Sequence, residues 1–261
     1  MRRSTRSEKG SAVSAILPEA LRPFECQQLE RLGAAAGGGY VVERKSVADA
    51  KFLVSCGVNE DWSFEEEFCA ISDVPIVALD GSVGREYFRE QVRKAAKRPW
   101  KLLWHWNIYR SYRRFYSGQR KHLKLYVGAE MPGGNNLCNI VSQHVPHDTQ
   151  PIFIKMDIEG SEYGQLDDLQ KLAPRLSGMA IEFHDVHLHL DQIVSFVNTL
   201  PLRLAHVHIN NNGGISDQSV PRVIECSFSR HCGPRKSQKQ LPLSLDQANW
   251  YKLPDFRLEF R

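Results

Sequence analysis

No run of the 261-residue chain approaches the roughly 20 consecutive apolar residues that a membrane helix needs. No apolar core follows the basic, polar residues 1–10, so a secretory leader is not expected either. Closely spaced cysteine pairs are lacking too. The six cysteines, at 26, 56, 69, 138, 226 and 232, form no Cys-x-x-Cys and sit mostly among apolar neighbours. That argues for free thiols in a reducing, cytoplasmic compartment. There is no internal repeat, and only residues 34–39 are low in complexity. The phosphate-cradling Gly-x-Gly-x-x-Gly is missing as well, which disfavours an NAD-dependent oxidoreductase. What remains is ordinary globular composition: 42% hydrophobic and 25% charged residues exclude wholesale disorder, and the length suits one large domain.

The charge is unevenly spread. Between Arg85 and Lys124 lie 13 of the 34 Lys/Arg, against only two acids, Glu86 and Glu90. A local balance of +11 in a chain of net charge +4 leaves −7 for the remainder. An acidic body with one basic segment makes broad nucleic-acid wrapping an unfavoured role.

Residues 1–50 read as a lead-in segment, with a short helical stretch opened by Pro18 and ended by Gly37, Gly38 and Gly39. Short apolar runs at 51–56, 76–79, 123–127, 151–156, 179–183, 204–209 and 223–228, several stopped by Gly or Asp, read as buried strands. Helical periodicity falls at 62–71, 160–172 and 188–200. Such alternation implies a parallel sheet with right-handed crossovers. The last two strands, joined by an Asn/Gly-rich loop at 210–214, read as an antiparallel hairpin at one edge. The expected fold is α/β: a seven-stranded, mostly parallel Rossmann-like methyltransferase sheet with helices on both faces. It spans residues 51–230, carries a basic aromatic insertion at 85–124, and is followed by a tail at 231–261 packed on the surface.

Ligands of open α/β sheets bind at the carboxyl ends of the strands. Three strand ends carry candidate groups. The first is the turn Ser55-Cys56-Gly57-Val58-Asn59-Glu60-Asp61. Its glycine lets the backbone approach a ligand, and the next helix offers free N–H groups. Its acids suit a cationic, hydroxyl-bearing ligand better than a pyrophosphate; a plain strand–helix turn with capping acids is the other reading. The second is Asp80-Gly81, an acceptor for ribose hydroxyls or simply a turn. The third, Lys155-Met156-Asp157-Ile158-Glu159-Gly160-Ser161-Glu162, runs a buried strand into three carboxylates. Helix N-termini favour one or two acids, but like charges this dense are not chosen for stability.

This third string resembles the signature of the FkbM-type S-adenosylmethionine-dependent methyltransferases, and the likeness extends from about Phe52 to Arg230. The late block His206-Val-His208-Ile-Asn210-Asn211-Asn212-Gly213-Gly214 is similar to one in bacterial members. The resemblance implies S-adenosyl-L-methionine as cofactor, with a binding role for Gly57, Asn59 and Asp80; Ser55, Asp61 and Gly81 of the same turns are expected to hold it with them. Asp157 and Glu159 inherit the active-site role. The departure is Asn59, which stands where a second glycine is usual; asparagine tolerates left-handed geometry better than most residues. The implied reaction is O-methylation of a hydroxyl on a sugar, a glycoconjugate or another small polar acceptor. Asp157 or His184 would be general base, Glu159 and His208 would orient the acceptor, and Glu162, Asn210 and Asn211 would contact it.

Five of the ten histidines fall at 184, 187, 189, 206 and 208. A divalent metal such as magnesium near Asp157 and His184-Asp185 is one reading; a polar pocket in which one histidine is a base is the preferred one. The segment 99–116 interleaves aromatics with cations. It is expected to cap an anionic acceptor through Arg113 and Arg114, to rest on an anionic membrane surface, or to pack as an amphipathic helix; stacking on bases while neutralising phosphates is the weaker functional reading. The rival from another class is an inactive methyltransferase-like module that holds an anionic polymer through residues 85–124.

Overall fold

The computed structural model describes residues 14–35, 37–128 and 135–261; the basic stretch at 1–10 lies outside them. In chain order the elements are β1 (Ser14–Leu17), β2 (Leu29–Leu32), β3 (Tyr40–Glu43), α1 (Arg44–Asp49), β4 (Phe52–Cys56), α2 (Ser63–Ile71), β5 (Ile76–Leu79), α3 (Arg85–Lys94), α4 (Pro99–Phe115) and β6 (Arg120–Leu123). They continue with α5 (Leu137–His144), β7 (Ile152–Met156), α6 (Leu166–Leu172), β8 (Leu176–Phe183), α7 (Val186–Thr199), β9 (Arg203–Ile209), β10 (Ile224–Ser229) and β11 (Arg257–Phe260).

Seven strands form the central sheet in the order β6-β5-β4-β7-β8-β10-β9. All neighbours pair in parallel except β10, which runs antiparallel to both β8 and β9. This is the Rossmann-like methyltransferase sheet, closed by its antiparallel hairpin. β4, β5, β7 and β8 are buried along their whole length, as strands covered on both faces must be. One face packs Leu137, Leu169, Ile193 and Phe196 from α5, α6 and α7. The other packs Val47, Phe64, Phe88 and Tyr112 from α1, α2, α3 and α4. The register decides the site: Cys56 lies level with Leu79 on one side and Met156 on the other. The residues that follow all three strands therefore meet at one edge.

Four expectations are corrected. The stretch after Pro18 is not a helix; only Glu19–Leu21 makes a 3-10 turn, and Leu29–Leu32 pairs antiparallel with Tyr40–Glu43. Pro23 and the cross-strand ladder override local helix propensity there. The third strand is Arg120–Leu123, not 123–127. Leu125 and Val127 do pack on the core, so their hydrophobicity signals burial, while the ladder runs through the polar edge before them. The helix expected from residue 160 begins as a 3-10 turn, Glu162–Gln165, and becomes α-helical only at Leu166. Finally, Cys26 and Cys232 form a disulfide. Partners 206 residues apart leave no local spacing to read.

The basic segment is the β5–β6 crossover, folded as a helical hairpin of α3 and α4. The last 30 residues add β11, parallel to β1, and place Asp246, Asn249 and Asp255 against the late strands. No helix among the described residues is long and apolar enough to cross a membrane.

Candidate active site

A cavity of about 650 Å³ opens at the carboxyl edge of β4, β5 and β7, within the range of small-molecule sites. Gly57, Asn59, Asp61, Asp80, Gly81, Asp157, Glu159 and Asn210 all line it, so the sequence-expected turns converge.

Gly57 holds the first two turns together. Its N–H donates to Leu79 O at 2.8 Å, and Asp157 N donates to Cys56 O at 2.9 Å. At φ +78° a Cβ on Gly57 would lie 1.6 Å from the Asp157 carbonyl oxygen. Only glycine permits both the left-handed backbone and that approach. Asn59 is also left-handed, at φ 51°. Buried Lys155 donates to Gly57 O, lies 3.9 Å from Asp157 Oδ2, and places its ammonium 5.7 Å from the Tyr40 ring centre. Tyr40, which nothing in the sequence singled out, donates to Asp157 Oδ2 at 3.4 Å.

Asp80 is a brace. Its Oδ2 accepts from Val58 N and Asn59 N; its Oδ1 accepts from Ser82 N, Ser82 Oγ and Val83 N. Five donors fill the roughly four lone-pair sites of a carboxylate, so the side chain has no spare acceptor for a ribose hydroxyl. It acts on a ligand by fixing the Gly57–Asn59 turn. Burial opposes its charge, but the hydrogen bonds from Ser82, Asn59 and Val83 outweigh burial and hold the carboxyl below its ordinary value. A depressed folded pKa means stability that is complete above about pH 4 and is lost as pH falls through the lower folded value. Asp80→Asn is expected to cost about 1–3 kcal/mol at neutral pH and to flatten this acid limb in denaturant titrations. Identical acid limbs in the two proteins would remove the bracing role.

Beyond Asp157 the sheet carries a row of acids and imidazoles. Glu182 on β8 stands opposite Glu225 on β10, which stands opposite His208 on β9. Glu182 lines the cavity and accepts from Asn210 Nδ2 at 3.0 Å. Burial, then the charges of Asp157 and Glu225, push its carboxyl up to about 8. His184 sits among Glu162 (3.2 Å), Glu159 (3.4 Å) and Glu182 (3.6 Å). Burial works against its charge, but the hydrogen bond it donates to Glu162 and the surrounding carboxylates prevail and hold the ring up at about 9. A ring already protonated near neutrality is a poor proton acceptor. Of the two candidate bases, Asp157 is therefore the one available.

Other expected residues are placed elsewhere. His208 is buried between Glu225 at 3.1 Å and Asp255 at 2.9 Å; burial opposes its charge, yet the two carboxylates hold it at about 10. It reaches no cavity wall and so does not orient an acceptor. Asn211, fully buried, ties the carbonyls of Trp250, Leu253 and Pro254. Glu162, also fully buried, accepts from Ile158 N and Gly160 N and so shapes the Asp157–Gly160 turn from beneath. Ser55 is buried against Glu65. Arg113 and Arg114 line a separate depression on α4 with Trp106, Tyr109 and Arg110, while Tyr112 and Phe115 are buried on another side of the helix. They do not cap this cavity.

Asp157, Glu182 and His184 each offer a ligand atom within 4.8 Å of the others. A divalent ion would compete there with the proton that three carboxylates hold on the imidazole. Glu182 and Tyr40 escaped sequence reading. Glu182 lies inside an apolar strand run, and its one available signal was a carboxylate placed two residues before His184.

No protein-family model matches the chain, and no curated protein matches it in sequence. Among solved structures it is similar to an rRNA methylase from Streptococcus thermophilus, at 12% identity over 71% of this chain and 92% of that one, with a TM-score of 0.37. It is also similar to TrmK of M. capricolum in complex with S-adenosyl-homocysteine, at 11% identity over 78% and 74%, TM-score 0.37. A fibrillarin/Nop5p complex is similar at 13% identity over 70% and 73%, TM-score 0.38. The strand order, not these distant likenesses, carries the fold assignment.

Proposed function

We propose that this chain is an S-adenosylmethionine-dependent methyltransferase of the FkbM type, acting on a hydroxyl of a sugar or another small polar acceptor. The observation that carries the reading is the convergence of three separate turns on one cavity at the carboxyl edge of a methyltransferase-type sheet. Each of Gly57-Val58-Asn59, Asp80-Gly81 and Asp157-Ile158-Glu159 contributes to its wall. The wall suits the cofactor chemically. The Gly57 turn is rich in acids and braced by a carboxylate, unfit for a pyrophosphate and fit for a sulfonium bearing an amino group and hydroxyls. Gly57, Asn59, Glu60, Asp61 and Gly81 would hold it; when bound, it supplies the methyl group.

This chain's own residues do the rest. Asp157 takes the proton of the acceptor hydroxyl. Tyr40 and Lys155 fix its carboxylate from one side. Protonated His184 offsets the negative charge at the edge that Glu159 and Glu162 form, while Glu182, its carboxyl pushed up to about 8, keeps its proton near neutrality. Asn210 and Glu182 line the acceptor side of the cavity and suit hydroxyl-bearing molecules. Positioning is the main contribution to such an in-line transfer.

Calorimetry tests the reading. S-adenosylhomocysteine is expected to bind with micromolar affinity and NAD not measurably. A chain that ignores both S-adenosylmethionine and S-adenosylhomocysteine is not a methyltransferase of this kind.

A further inference from the structure

The α3–α4 hairpin extends away from the body. Its root is an aromatic cluster in which the tilted rings of Phe88 and Tyr112 lie 4.6 Å apart and Tyr112 meets Trp62 edge-on at 5.8 Å. From Tyr112 back to Trp100, α4 runs 12 residues, or about 18 Å at the helical rise. Its outer half loses its cover along the way. Trp100 is 71% exposed, Leu103 62%, Trp104 57% and Trp106 45%. Trp100, Leu103 and Trp104 stand at i, i+3 and i+4, on one face of the helix. Arg110 and Arg114 continue that side toward the root, and Arg113 flanks Trp106.

The charge around this tip is one-sided. Residues 89–114 hold nine Lys/Arg and a single acid, Glu90. Among the described residues the ion pair in this stretch is Arg93 with Glu90, exposed and 3.8 Å apart. Lys97, Arg98 and Lys101 crowd the start of α4, where the first turn has no acid and the helix dipole disfavours cations. Helix stability explains neither that crowding nor three exposed tryptophans.

We propose that the hairpin tip seats on an anionic lipid bilayer. Tryptophan prefers the headgroup level of a membrane, where the ring is apolar and its N–H stays wet. Trp100, Leu103 and Trp104 enter the interface, while Arg110, Arg113 and Arg114 on the succeeding turns meet lipid phosphates. A second copy of the chain is a poorer occupant, since it would press like charges together. Nucleic acid would use the cations but has no need of a convex leucine and tryptophan tip. The inference is independent of the methyl-transfer reading.

Flotation of the full chain with vesicles tests it. Binding to phosphatidylcholine vesicles containing phosphatidylserine is expected, with little to phosphatidylcholine alone. Trp100→Ala with Trp104→Ala should weaken it at least about tenfold. Arg113→Gln with Arg114→Gln should do so to a similar extent and reduce its salt sensitivity. All four residues are exposed, so unchanged circular dichroism should accompany both losses. No binding to anionic vesicles, or equal binding by the tryptophan variant, overturns the proposal. So does self-association through α4, or tight binding of random RNA that the tryptophan variant retains, in either case without vesicle binding.

Discussion

Asp157→Asn is expected to leave the fold and S-adenosylhomocysteine affinity intact and to lower turnover at least about 100-fold, the usual loss when a positioned base is removed. The amide is nearly isosteric and can still accept from Tyr40, which lies 3.4 Å from Oδ2. It cannot take a proton. The competing base, His184, is held charged at about 9, so it cannot substitute near neutrality. Its raised pKa means that the stabilisation from its carboxylates is complete below about pH 6.5 and disappears as pH rises through the folded value. The wild-type rate should therefore not show a rise from His184 deprotonation until pH nears 9. Single-turnover rates of the two proteins across pH, with and without chelator, decide the matter. An unchanged rate in the variant would reassign the base. Activity lost to chelator and restored by magnesium would make the Asp157–Glu182–His184 cluster a metal site.

The largest effect on stability is expected from Gly57→Ala. The added Cβ meets the Asp157 carbonyl oxygen at 1.6 Å, and that partner is backbone, not a movable side-chain end. Left-handed geometry costs an L-residue about 1–2 kcal/mol, and overpacking adds about 1–3 kcal/mol. Their sum is a large part of the roughly 5–15 kcal/mol that holds a domain folded. Gly160→Ala is the control: its φ is +96°, but nothing lies within 4 Å of its Cβ, so only the backbone cost of about 1–2 kcal/mol applies. Urea unfolding should show a large midpoint drop for the first variant and a small one for the second, with similar slopes. Equal midpoints would mean that the two turns can slide apart, and that Gly57 is not the point at which β4 and β7 are stitched.

Six of the seven sheet strands were legible because each is a short apolar run punctuated by glycine, aspartate or a polar loop, and a doubly covered parallel strand has no other way to look. The remaining one was displaced. Arg120–Leu123 carries its hydrogen bonds at the edge while Leu125 and Val127 carry the burial, so hydrophobicity pointed past the ladder. The disulfide and the β2–β3 pairing were invisible for a related reason: both join segments whose partners are set by the folded chain.

The residue types at the strand ends made a ligand edge readable from the sequence: Gly57 and Asn59, Asp80-Gly81, and Asp157 with its neighbouring acids. Local chemistry is enough for that, since few turns need a glycine and three carboxylates in so short a span. Which of those groups face the cavity was a tertiary matter. The level register of β4, β5 and β7 brings Asp157 to the wall. Backbone donors and the Ser82 hydroxyl exhaust Asp80, and carboxyl groups from the segment after β7 and from β8 surround His184. His208 is withdrawn by Asp255, a residue 47 positions away in a tail that the sequence offered only as wrapping. A side chain's role depends on what fills its hydrogen-bonding capacity, and those partners are chosen by the packed fold across distances that no spacing in the chain records.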